Sequence, residues 1–209
     1  KSVAAFAVAH GIAAKDVLVS GHSLGGLGDN SVAELSASNW GGFFKDANYI
    51  TFASPTQSST GNNVLNIGFE NDPVFRVLDG STFSSASMGK HDKPHDSTTD
   101  NIVNFNDNYA STAQNLVPFS IVNPLNWSAH SSLGYADGLN RVIDSKFYNL
   151  THKDSTIIVS NLEEASRGKT WVEDLGRSGE PHTGSTFIIG TNSNDWLKGG
   201  AGNDFLEGL

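Results

Sequence analysis

Asp16-Val17-Leu18-Val19-Ser20-Gly21-His22-Ser23-Leu24-Gly25-Gly26 is the stretch on which the fold turns. Residues 16–20 form a short apolar run rich in β-branched side chains, the signature of a buried strand. The Gly-His-Ser-Leu-Gly that follows matches G-x-S-x-G, in which a serine occupies a strained turn between a strand and a helix. Glycines flanking that serine let strand and helix approach closely. Ser31 to Leu35 suits the helix the pattern requires.

Further along the chain, Tyr49 to Ala53 reads as a second strand closed by Ser54-Pro55, and Val64 to Phe69, where apolar residues alternate with small or polar ones, as a third, ending at Glu70-Asn71-Asp72-Pro73. Strand and helix alternate in the βαβ manner, so the expected class is α/β with a parallel sheet. Upstream, Ser2 to His10 is expected to be a helix inside a domain whose beginning is missing. A signal-peptide core is the competing reading, but His10 and Gly11 interrupt the run. From Asp79 to Asp107 the composition turns polar, with five Asp and two His, and a metal-ordered loop is expected rather than a packed element. Tyr135 to Tyr148 reads as a helix preceded by a loop containing His130. Strands at Ser155 to Ser160 and Thr186 to Ile189 bracket a further polar stretch.

Composition narrows the partners. Thirteen Lys and Arg against 22 Asp and Glu give a formal charge of −9, which argues against a phosphate-backbone binder. Cysteine is absent, which excludes disulfides and thiolate zinc sites. No apolar run approaches the length of a transmembrane span.

From Gly190 a nine-residue period takes over: GTNSNDWLK at 190–198, then GGAGNDFLE at 199–207. The second copy fits G-G-x-G-x-D-x-U-x, the calcium-binding unit of a parallel β-roll. The first has Thr191 and Ser193 where glycine is expected, as an edge repeat would. Six residues turn, offering carbonyl and carboxylate oxygens to a hard cation, and three make a short strand with Leu197 or Leu206 inward. The expected calcium ligands are Asp195 and Asp204 with Gly190, Asn192, Gly199 and Ala201. Two copies cannot bury a face unaided, so more repeats are expected beyond Leu209.

A serine hydroxyl is a weak nucleophile at neutral pH and needs a base, which in turn needs an acid to hold its tautomer. With G-x-S-x-G in an α/β sheet the order is Ser, acid, His. Ser23 is the candidate nucleophile. Asp72 lies just past the third strand, where such sheets present functional groups, although an Asp-Pro turn explains the same letters. The candidate bases are His91, His95, His130, His152 and His182. His130 leads because it sits in a small-residue loop before the last helix of the domain.

GHSLGG at 21–26, ASPTQS at 53–58, NIGFENDPVFRVLDG at 66–80, HDSTTDNIVNFND at 95–107 and the nonapeptides together resemble the RTX-tailed lipases that pseudomonads and Serratia secrete. The resemblance implies an α/β-hydrolase sheet, of which residues 1–150 are the C-terminal portion. Residues 151–189 would connect it to the first repeats of a truncated β-roll at 190–209. It implies a triad of Ser23, Asp72 and His130, with the backbone N–H of Leu24 as one oxyanion donor. It also implies calcium in the catalytic domain, with Glu70, Asp92, Asp100 and Asn101 in the matching acidic segments. The second oxyanion donor and the lids lie upstream of Lys1 in that family, so residues 1–209 alone are expected to be inactive.

The function so implied is calcium-dependent hydrolysis of triacylglycerol at an oil–water interface by an extracellular enzyme, exported by a type I machinery. Two other readings stay open at this level: another esterase or phospholipase with the same triad, and a non-catalytic calcium-binding RTX protein with an incidental Ser23.

Overall fold

The computed structural model describes residues 2–58, 63–69, 72, 74–75, 77–79, 82–83, 100–105, 127, 130–152, 155–159, 169–174, 181–192 and 194–209. Its centre is a parallel sheet. The strands are β1 (Leu18–His22), β2 (Asn48–Phe52), β3 (Val64–Phe69), β6 (Asp100–Phe105), β7 (Thr156–Val159), β9 (Thr186–Ile189) and β11 (Phe205–Glu207), hydrogen-bonded in that order. Every pairing in the sheet is parallel. Outside it, β4 (Leu78–Asp79) and β5 (Thr82–Phe83) form a small antiparallel pair, and β8 (Lys169–Glu173) pairs in parallel with β10 (Asn194–Lys198).

Strands buried on both faces read as continuous apolar runs, and TIIV of β7 and TFII of β9 show why. Ile157, Val159, Phe187 and Ile189 point to one face, where they pack with Phe69, Tyr135 and Val142. Ile158 and Ile188 point to the other, against Val172 of β8 and Leu197 of β10. The first face is covered by α3 (Ser132–Asp144), which approaches closely because a Cβ at Gly138 would lie 3.2 Å from both Phe69 and Val159. From β7 onward the chain alternates between the two sheets, β7 to β8, β9, β10 and β11. The main sheet thus continues unbroken past residues 150 and 190.

The remaining helices are α1 (Ser2–Ala9) and α2 (Leu24–Leu35). The second starts seven residues earlier than the sequence suggests. The glycines at 25, 26 and 28 depress helix propensity, yet the turn at Ser23 sends the chain straight into the helix. The third helix also begins and ends earlier than expected, with a short 3-10 turn at Tyr148–Leu150 after it.

The stretch expected to be a metal-ordered loop rather than a packed element holds a strand, and so does the polar stretch between Ser160 and Thr186. Residues 100–105 form β6, between β3 and β7 in the sheet, and residues 169–173 form β8. Ile102-Val103 is too short an apolar pair to mark a strand among Asp and Asn; the strand owes its existence to neighbours on both sides. In the repeats, Leu197 packs against the second core cluster, whereas Leu206 is 44% exposed.

Candidate active site

Parallel strands deliver their carboxyl ends to one edge of the sheet, and functional groups gather there. Ser23 follows β1 with φ 57° and ψ −121°, a conformation that L residues rarely adopt, and its N–H donates to Phe52 O at 2.9 Å. Gly21 is required by the turn: a Cβ there would lie 2.5 Å from the backbone carbon of Gly25. At Gly26 a Cβ would lie 3.0 Å from that of Ser54, so this glycine lets α2 sit on the loop after β2. A Cβ at Gly25 would meet nothing within 4 Å, so sterics among the described residues do not explain that glycine.

Asp72 follows β3 and is wholly buried. Its Oδ1 accepts from the N–H groups of Val74 at 2.7 Å and Phe75 at 3.3 Å, and its Oδ2 accepts from the Tyr135 hydroxyl at 2.8 Å. His130 lies two residues before α3, and its Nδ1 is 3.0 Å from each Asp72 oxygen. Its Nε2 is 2.9 Å from Ser23 Oγ. An ionised carboxylate only accepts, so Nδ1 carries the proton, and in the neutral imidazole Nε2 accepts from the serine hydroxyl. Ser23, His130 and Asp72 are therefore joined in one chain of hydrogen bonds across residues 58 and 107 apart in sequence.

Three neighbours of this chain were not found by sequence reasoning. His22 donates from Nε2 to the carbonyl of His130 at 3.0 Å, and its ring lies 4.9 Å from that of His130. Burial, and then the charge His130 would carry, push the His22 imidazole below its usual value, which keeps it neutral. Tyr135 is 2% exposed, and burial followed by the Asp72 charge raises its phenol well above the ordinary tyrosine range. Trp127 meets the His130 ring edge-on at 5.5 Å. The available signals were a His inside the motif and a polar aromatic at the start of a helix, neither of which specifies a partner.

Behind the turn, the buried Asn30 of α2 accepts from Ser58 N at 2.7 Å and donates to Asn66 Oδ1 at 2.8 Å and Thr56 O at 3.0 Å. This amide fastens the loop after β2 to the helix that Ser23 begins. Leu24 opens that helix, where the first backbone N–H groups have no acceptor one turn back. Its side chain is 75% exposed.

The other histidines are placed differently. His182 Nδ1 pairs with buried Asp174 at 2.6 Å, and His152 is exposed. His91, His95, Glu70 and Asp92 lie outside the described residues; Asp100 and Asn101 open β6, and their side chains lie outside the description too.

Residues 183–209 match the family described as RTX calcium-binding nonapeptide repeat (4 copies). Two lipases of Pseudomonas fluorescens are 60% identical over 192 residues and 61% over 193, in each case 92% of this chain. Those alignments cover 40% and 43% of the relatives' own length. The solved structure of extracellular lipase LipA from Serratia marcescens superposes with a TM-score of 0.76 at 55% identity, covering 99% of this chain and 35% of that one. The chain thus spans less than half the length of the proteins it matches. All these likenesses fit an RTX-tailed bacterial lipase, and the repeats make Ca2+ its metal.

The repeat residues suit that ion. Their donors are all oxygen, as a hard cation prefers. Each carboxylate closes over its own turn: a Cβ on Gly190 would lie 2.4 Å from Asp195 Oδ2, and one on Gly199 would lie 2.3 Å from Asp204 Oδ2. Asp204 Oδ1 accepts from Thr186 N and Oγ1, both at 3.0 Å. Asp195 accepts from Thr191 N at 2.6 Å and Oγ1 at 2.8 Å. The two aspartates belong to turns that enter different sheets, β10 and β11, so it is the coil 18 residues back that Asp204 touches. Gly190 O accepts from Arg141 at 3.1 Å, and Asn192 and Ala201 are exposed at their turns.

Proposed function

We propose that this chain carries the nucleophile, base and acid of a secreted triacylglycerol lipase. Ser23 Oγ attacks the ester carbonyl while His130 Nε2 takes its proton. Asp72 holds the imidazole through Nδ1 and stabilises the imidazolium that forms. The N–H of Leu24 stabilises the oxyanion. Collapse of the tetrahedral adduct breaks the ester bond, His130 returns the proton to the leaving alcohol, and water then hydrolyses the acyl-enzyme by the same route. The observation that carries this reading is the continuous Ser23–His130–Asp72 hydrogen-bond chain at the carboxyl edge of a parallel sheet.

In this reading residues 1–150 are the C-terminal part of an α/β-hydrolase domain, and the alternation of β7 to β11 between two sheets begins a calcium β-roll. Calcium supplies the charge that lets the acidic turns pack; Asp195 and Asp204 would hold it with carbonyl oxygens of the Gly190 and Gly199 turns. Likeness to an extracellular lipase, together with the RTX repeats, supports export by a type I route.

The test is turnover of emulsified triacylglycerol and of a soluble short-chain ester by the complete protein and its Ser23→Ala variant. The reading expects the emulsion to be preferred and Ser23→Ala to lose several orders of magnitude on both, since only oxyanion and binding effects, roughly 10³–10⁴-fold over water, survive loss of a triad member. Preference for the soluble ester would make it another esterase. Near-normal turnover by a folded Ser23→Ala protein would remove the nucleophile from Ser23.

A further inference from the structure

Tyr135 stands between two of the segments that build the site. Its hydroxyl accepts from the N–H of Phe69, the last residue of β3, and donates to Oδ2 of Asp72, both at 2.8 Å. The residue belongs to the first turn of α3, five positions after His130. Its ring stacks on Phe69 at 4.3 Å and meets Phe52 and His22 edge-on. One side chain therefore ties the element that follows the base to the strand that precedes the acid.

We propose that Tyr135 is a positioning residue for the reaction, fixing the Asp72 carboxylate against His130 and setting how strongly that carboxylate stabilises the imidazolium. This inference rests on the triad reading above. A carboxylate's charge is shared among the donors it accepts from, and bonds from neutral donors to an ionised acceptor are among the stronger ones. Each donor that Asp72 gains lessens the negative charge left for His130. Among the described residues, the titratable groups facing the His130–Asp72 pair are His22 from the end of β1 and Tyr135 from α3; His22 is held neutral, and the phenol of Tyr135 stays protonated. Asp137 and Arg141 of the same helix pair with each other at 2.8 Å. Removing the phenol hydroxyl concentrates charge on Asp72, raises the basicity of His130 and leaves Phe69 N–H without this acceptor.

Two substitutions in the complete protein push the site in opposite directions. Tyr135→Phe should move the acid limb of kcat/KM to higher pH, with KM changed less than about twofold. A ring-difluorinated tyrosine at 135 keeps the shape and strengthens the donor, so it should move that limb to lower pH. A packing role alone would leave both limbs in place, whatever happened to stability. Unchanged acid limbs in both variants, or limbs displaced in the same direction, would overturn the proposal. Labelling by a fluorophosphonate separates this failure from that of the underlying reading. If Ser23 is phosphonylated in the parent while the limbs stay fixed, Tyr135 alone has been misread; if Ser23 is not labelled, the triad itself is wrong.

Discussion

Ser23 is held in a conformation, φ 57° with ψ −121°, that costs an L residue about 1–3 kcal/mol. Such a cost persists only where the surroundings over-determine it. Here the Ser23 N–H is bound to Phe52 O and the neighbouring Gly21 and Gly26 admit backbone and Ser54 at close range. The gain is a hydroxyl raised off the sheet toward His130. His22, next to it, faces inward and stays neutral, because burial disfavours its charged form. A histidine whose folded value lies below its unfolded one binds fewer protons folded than unfolded, so stability falls as pH drops through about 6.5 and reaches its full loss below the lowered folded value. His22→Asn should therefore flatten the decline in urea midpoint between pH 7.5 and 5 relative to the parent. An equally steep decline in the variant would show that His22 does not carry it.

At the scale of elements, β7 and β9 divide their side chains between two cores, and Ile158 belongs to the cluster with Val172, Ile188 and Leu197. It is 1% exposed. Ile158→Ala should cost about 2–5 kcal/mol by equilibrium unfolding, the range for a buried isoleucine cut to alanine; a cost under about 0.5 kcal/mol would mean the second sheet does not pack there. These strands were legible because TIIV and TFII are nearly continuous apolar runs, β1 because of its short β-branched run, and β3 because apolar residues alternate there with small or polar ones. By contrast, β6 was hidden: Asp100-Asn101 and Asn104 break the pattern, and only pairing to β3 and β7 makes it a strand. The early start of α2 was hidden by its glycines. Within the site, Ser23, Asp72 and His130 could be named from motif, strand end and loop address. Asn30, His22 and Tyr135 could not, since what they do depends on groups as far as 108 residues away in sequence.

Over the whole molecule, the sheet that presents Ser23 and Asp72 runs on into the repeats, and Glu207 ties them back: it accepts from Ser145 Oγ at 2.5 Å and Lys146 N at 3.0 Å at the end of α3. With a formal charge of −9, carboxylate repulsion opposes compaction until a cation offsets it. If the repeats fold as they take up calcium, the two processes should respond together. Adding calcium should create β-structure by circular dichroism and a chelator should remove it; Asp204→Ala should raise the calcium concentration needed, while Asp144→Ala, exposed on α3, should not. Equal β-content with calcium and with excess chelator would contradict that coupling. Whether Ser23 is the nucleophile and His130 its base is decided by incubating the complete protein with a fluorophosphonate and locating the adduct by peptide mass spectrometry. One adduct per chain is expected, on Ser23, formed more slowly, by roughly 100-fold or more, in a folded His130→Ala variant. An unlabelled Ser23, or labelling that ignores the loss of His130, would contradict that assignment.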